Sequence, residues 1–315
     1  MDSHDTIRIG TRASLLAVAQ ARLVAEGLVR VAGGGVDVEL VPMATRGDRT
    51  AGPLEAVGGK GLFTAELEAA LREGRVDLAV HSAKDLPAEM AAGAVIAAVP
   101  VRADARDVLV TREGLSLAEL PRGAVVGTSS RRRGFSVLHE RPDVVLKPLR
   151  GNVDTRLQKV LSDRDRDVDA VVLAMAGLER SGLAASHGAC CRVLEVEVCI
   201  PAAGQGALAV QAAVDNSRAC ALAALLDDAD SRAAVEAERA VVASLGGDCH
   251  SCIAVHARRV GEAGESGEWE ILFLAAKADF SLPYWSRIAG ASAMAASEGL
   301  MEQLRRDCVR ERIGG

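Results

Sequence analysis

Three times in the first half of the chain, a short apolar run of the kind that forms a strand covered on both faces ends in a cluster of cations and hydroxyls. Residues 77–80 lead into His81-Ser82-Ala83-Lys84-Asp85, and residues 124–126 into Gly127-Thr128-Ser129-Ser130-Arg131-Arg132-Arg133. Residues 144–146 precede Leu149-Arg150-Gly151-Asn152-Val153-Asp154-Thr155-Arg156. Such strands belong in a largely parallel sheet flanked by helices, and the basic clusters then line its carboxyl edge, where open α/β sheets bind ligands. Crowded cations repel one another. Gathering at least five of them beside few acids therefore points to a multiply charged anion, a polycarboxylate or a polyphosphate.

The remaining pattern fits this frame. Residues 7–9 read as a strand, 14–31 as an amphipathic helix capped by Ser14, 36–43 as a strand, and 63–73 as a helix closed by Gly74. Strands follow at 77–81 and 94–99. The alternation restarts with strands at 107–111 and 124–126, a helix from Arg132, a strand at 144–146, a helix at 153–161, a strand at 168–173 and a helix from Ala176. Pro201-Ala202-Ala203-Gly204-Gln205-Gly206 and a strand at 207–211 return the chain to the first domain. An Ala-rich stretch, 218–245, reads as helical throughout, and strands at 253–258 and 268–275 with a helix near 293–305 form a smaller α+β unit. The predicted organisation is 1–104 plus about 201–222 as α/β domain 1, 105–200 as α/β domain 2, and 223–315 as α+β domain 3.

Composition excludes several functions. A net charge of −6 and an aromatic content of 2% argue against a nucleic-acid-binding surface, which needs a basic excess and stacking rings. The longest apolar runs fall short of the ~18 residues of a membrane span. Met1-Asp2-Ser3-His4-Asp5 has neither a basic n-region nor an apolar h-region, and seven cysteines, an odd number, fit free thiols better than a disulfide framework. A cytoplasmic protein with no membrane or nucleic-acid partner is expected.

Individual motifs carry different weight. Gly58-Gly59-Lys60-Gly61-Leu62-Phe63 enters a helix, where backbone N–H groups favour an anion, yet a surface loop explains it equally well. Lys84-Asp85 at a strand end, fixed by Leu86-Pro87, sets a carboxylate where it can stabilise developing positive charge or shuttle a proton. Thr128-Ser129-Ser130 before the arginines builds an anion cradle that guanidinium forks complete, and Arg150 and Arg156 bracket a second helix start in the same way. Cys249-His250-Ser251-Cys252 lacks the second ligand pair that zinc requires, so no metal is expected. Cys249, on a Gly-Gly-Asp loop outside any apolar stripe, reads as a nucleophile or attachment point.

Taken in order, Arg8-Ile9-Gly10-Thr11-Arg12-Ala13-Ser14, the Gly58 to Phe63 loop, His81 to Pro87, Gly127 to Ser130, Arg150 to Val153, Pro201 to Gly206 and Gly246 to Cys249 closely resemble the porphobilinogen deaminase family. The resemblance runs from about Ile7 to the end of the chain. It implies two periplasmic-binding-protein-like α/β domains with the active site between them, plus the smaller α+β domain. It also implies a monomeric transferase of tetrapyrrole and haem biosynthesis that condenses four porphobilinogen molecules head to tail, with loss of ammonia, into hydroxymethylbilane. A dipyrromethane cofactor would be joined by thioether to Cys249. Asp85 would be the catalytic carboxylate as each substrate deaminates to an electrophilic azafulvene. Lys84, Ser129, Ser130, Arg132 and Arg133 would hold the cofactor, and Arg12, Ser14, Lys60, Phe63, Arg150, Arg156 and Arg180 the substrate and growing chain. Two positions depart from the family pattern: Ala56, where a lysine is common, and Cys252, where a proline is common. The rival class is a bilobal binding protein for an anionic solute, which would need no cysteine in its third domain.

Overall fold

A computed structural model describes residues 5–49, 64–87, 90–246, 251–261 and 267–313. The chain divides into two compact units, Met1–Arg102 with Ala207–Arg232, and Ala103–Gly206 with Ala233–Gly315.

The first unit is built on a five-stranded sheet. Strands β1 (Asp5–Arg12), β2 (Val36–Met43), β3 (Leu78–Ser82) and β4 (Ala94–Ala98) are joined by a late strand, β10 (Leu208–Ala213), in the order β2-β1-β3-β10-β4. β2, β1 and β3 are parallel, and β10 runs antiparallel to both neighbours. Helix α1 (Leu15–Val31) begins where the Ser14 hydroxyl accepts from Ala17 N. Its apolar residues recur three and four apart, so Ala21, Val24 and Leu28 pack on Ile7, Ile9, Leu78 and Val80. On the other face α2 (Ala65–Arg72) buries Leu67, Ala70 and Leu71 against Val76 and Ala79.

The second unit holds two sheets. Strands β5 (Asp107–Thr111), β6 (Val125–Gly127), β7 (Val145–Lys147), β8 (Ala170–Ala174) and β9 (Cys191–Leu194) form a sheet of order β7-β6-β8-β5-β9. Its layout repeats that of the first sheet, with β5 antiparallel between β8 and β9. Helices α3 (Arg131–Glu140), α4 (Val153–Leu161), α5 (Met175–Arg180) and α6 (Leu183–His187) connect these strands. The third sheet is antiparallel, β11 (Cys252–Val260), β12 (Glu268–Ala276) and β13 (Tyr284–Gly290). One face packs Val255, Ile271 and Phe273 under α8 (Ala229–Leu245) and α9 (Ala293–Arg306). The other sets Cys252, Ala254, Leu272 and Leu274 against Phe135 of α3 and Phe280. This burial on both faces is why β12 reads as an unbroken apolar run from Ile271 to Ala276.

The single helix expected over 218–245 is in fact two, α7 (Ser217–Ala224) and α8. Two aspartates at the break account for it. Asp227 accepts from Val99 N at 2.7 Å, and Asp228 accepts from Ser231 N at 2.8 Å, capping the second helix. The chain closes with a short helix, α10 (Val309–Ile313). Among the described residues, no helix is long and apolar enough to cross a membrane.

Candidate active site

In the first unit the candidate residues sit at strand ends. Arg12 closes β1, paired in register with Met43, and Thr11 before it is buried with its hydroxyl donating to Ala17 O. Ser14 is placed as the α1 cap, so its hydroxyl already serves the backbone. β3 runs into a 3₁₀ turn, Ala83–Asp85, braced by Ala83 N donating to Ala207 O and Leu86 N donating to Ala83 O. The turn leaves Lys84 half-buried and Asp85 exposed. Among the described residues no hydrogen bond or ion pair engages the Asp85 carboxylate. An un-neutralised carboxylate on a rigid turn is suited to meeting a transient cation.

In the second unit the loop after β6 and the loop after β7 are tied together. The Ser129 hydroxyl donates to Leu149 O at 2.9 Å and accepts from Leu149 N at 3.0 Å. Ser130 caps α3 by accepting from Arg133 N. Both hydroxyls therefore serve the local backbone. Gly151 has φ +104, and a Cβ there would lie 2.8 Å from the Thr155 side chain, so the turn before α4 needs glycine. The Gly151 carbonyl accepts from Arg156 Nε at 2.8 Å, and Arg150 beside it is exposed.

Arg132 and Arg133 lie deeper than a ligand-facing pair would. Their side chains are 4% and 7% exposed, and both converge on the fully buried Asp107 at the start of β5. Asp107 Oδ2 accepts from Arg132 Nη1 at 2.6 Å, and Oδ1 from Arg133 Nη2 at 2.8 Å and Gln205 Nε2 at 2.9 Å. Arg132 also donates to Ile200 O, and Arg133 to Val172 O. Burial alone would lower the pKa of Arg132, but the Asp107 carboxylate more than reverses it. Burial, with Asp107 adding to it, pushes the Cys199 thiol up to about 12, which keeps it protonated and donating to Asp107. The few acids counted beside the basic clusters thus omit a central one. Asp107, Gln205 and Cys199 are the partners of this arginine pair that sequence reasoning missed, although an acid heading an all-apolar strand was a readable signal. Replacing Asp107 with Ala leaves two buried guanidiniums without their shared counter-charge and is expected to cost about 3–5 kcal/mol, to be measured as a lower urea midpoint.

Arg180 differs from these. At the end of α5 it is half-buried and donates to Gly206 O at 2.6 Å, and burial pushes its pKa down to about 10. Among the described residues no carboxylate forms an ion pair with it. The Gly206 carbonyl also accepts from Ala103 N at 3.2 Å, and only glycine fits there, because φ is +85 and a Cβ would lie 2.5 Å from Ala103 O.

Lys60, Phe63 and Cys249 lie outside the described residues. The neighbouring thiol is described: Cys252 is 3% exposed, and burial raises it to about 11 against the pull of Arg132 and Arg131. The six described cysteines are all free thiols, and no group of three or more His, Cys, Asp or Glu among the described residues is placed to hold a metal.

Two five-stranded sheets of one layout, each with cations and hydroxyls at its strand ends, define an α/β protein with two periplasmic-binding-protein-like domains. Residues 7–221 match the family model described as porphobilinogen deaminase, dipyromethane cofactor binding domain. The chain is 48% identical over 258 residues to a porphobilinogen deaminase of Roseiflexus sp. (strain RS-1), covering 82% of this chain and 83% of that protein. It is 46% identical over 255 residues to a probable porphobilinogen deaminase of Methanopyrus kandleri, covering 81% and 83%. The chain belongs to the porphobilinogen deaminase family.

Proposed function

We propose that Asp85 is the catalytic carboxylate of this chain, that Cys249 carries the cofactor by a thioether, and that the cations at the strand ends hold carboxylates of cofactor, substrate and product. The enzyme is a hydroxymethylbilane synthase, a transferase that joins four porphobilinogen molecules into the linear tetrapyrrole with release of ammonia. Lys84, Ser129, Ser130, Arg132 and Arg133 belong to the cofactor's surroundings, and Arg12, Ser14, Lys60, Phe63, Arg150, Arg156 and Arg180 to the substrate's. Domain 1 (1–104 with about 201–222), domain 2 (105–200) and domain 3 (223–315) form the working divisions of a cytoplasmic monomer that acts on a small molecule.

The donor set suits a carboxylate-rich group. The first turns of α3 and α4 offer backbone N–H groups beside Arg150 and Arg156, and the Asp107 cluster retains a net positive charge from its two guanidiniums. Bound through Cys249, the dipyrromethane supplies the primer ring on which growth begins. The protein's own residues do the rest: guanidiniums neutralise the two carboxylates that each added pyrrole brings, and Asp85 faces the positive charge that develops when ammonia leaves.

The observation that carries this reading is Arg180, a desolvated guanidinium whose described partner is a backbone carbonyl. A charge taken partly out of water needs a counter-ion. Replacing Arg180 with Gln is expected to raise KM for porphobilinogen roughly 10- to 100-fold, the worth of one charge-assisted hydrogen bond. A steady-state assay in which KM stays at the parent value would remove Arg180 from the substrate's surroundings.

A further inference from the structure

Gln211 is a fully buried polar residue inside the apolar strand β10. Its Nε2 donates to Glu68 Oε1 on α2 at 3.3 Å, and its Oε1 lies 3.1 Å from His81 Nε2 on β3. A carboxylate oxygen accepts, so Glu68 fixes which end of the carboxamide it meets. The Oε1 left over can also only accept, so the hydrogen between Gln211 and His81 must sit on the histidine. Burial pushes the imidazole down to about 4, with Gln211 opposing and Arg12 assisting, so the ring is neutral, with hydrogen on Nε2 and a lone pair on Nδ1. The next residue, Ser82, is held by Gln20 of α1, whose Nε2 lies 3.0 Å from the hydroxyl. The end of β3 is thus clamped through successive side chains immediately before Lys84 and Asp85.

We propose that Glu68 and Gln211 are positioning residues for this enzyme's chemistry: a directed chain of hydrogen bonds holds His81 in one neutral tautomer and so fixes the turn that carries Asp85. The inference rests on the reading of Asp85 as the catalytic carboxylate.

Glu68→Gln in the full-length holoenzyme tests it, because the variant keeps the shape of the side chain and removes only the direction of the chain. A Gln at position 68 can donate or accept, so the Gln211 carboxamide is released to turn over. In the parent protein, ¹⁵N spectra of labelled histidine should show His81 protonated at Nε2 alone. In the variant they should show a mixture of tautomers, while kcat falls roughly five- to tenfold, the worth of one buried hydrogen bond. KM and the covalent cofactor mass should stay at parent values. Gln211→Met, which keeps volume and removes both bonds, should reproduce the loss in kcat. A parent-like tautomer in Glu68→Gln, or a parent-like kcat in either variant, overturns the proposal. Asp85→Ala assayed alongside separates the two ideas: an active Asp85→Ala enzyme refutes the catalytic assignment, whereas the tautomer judges the hydrogen-bond chain by itself.

Discussion

Asp85→Ala is expected to lower turnover by roughly 100- to 10,000-fold, the range for loss of a positioned acid–base or charge-stabilising group, while the protein remains folded. Both halves of that expectation come from the turn. Asp85 is exposed, and no described residue uses its carboxylate. The turn is braced by Ala83 N on Ala207 O and Leu86 N on Ala83 O, which the substitution leaves untouched. Truncation therefore removes charge and little else. Asp85→Asn sharpens the result, because it keeps the shape and deletes the charge. Near-parent turnover in either variant, with the cofactor present by mass, would mean that another group meets the developing cation.

The second large effect concerns the thiol. Intact-protein mass of the holoenzyme should show a covalent excess of two linked pyrrole units, and Cys249→Ser should abolish it together with nearly all activity. The adjacent thiol offers no substitute: Cys252 is packed with Phe135, Ala254, Leu272 and Leu274, and burial raises it to about 11, so thiolate is scarce at neutral pH. Cys252→Ser should therefore keep the mass excess. The reverse pattern, excess retained in Cys249→Ser and lost in Cys252→Ser, would move the attachment to the second sulfur.

Much of the fold was legible where one physical cause dominated. The strand at 36–43, the strand at 107–111 and the helix at 153–161 appear with the bounds their apolar period indicates, and Ser14 caps α1 as its chemistry suggests. β13 was not legible, since Tyr284-Trp285-Ser286-Arg287-Ile288 alternates only half-buried positions with exposed ones. β9 was missed for a similar reason, with Arg192 and Val193 both exposed in a strand of four residues. The placement of the basic clusters just after strands was readable because each follows a short apolar run. The partnership inside it was not, because Asp107 meets Arg132 only through a contact 25 residues away in sequence. Gln20 and Gln211, polar residues on otherwise apolar faces, were visible signals whose meaning depends on the neighbours that the fold brings to them.

The placement of β10 has a consequence for biosynthesis. This strand lies between β3 and β4, yet His81 and its partner Gln211 are 130 residues apart. The amino-terminal sheet is consequently left in two pieces until residue 213 has left the ribosome, on the order of ten seconds after β4 at usual elongation rates. Over that interval the nascent chain presents two unpaired, apolar strand edges, the template for misassociation. Holding-type chaperones should therefore improve the yield of this enzyme most when they act during translation, before the returning strand fills the gap.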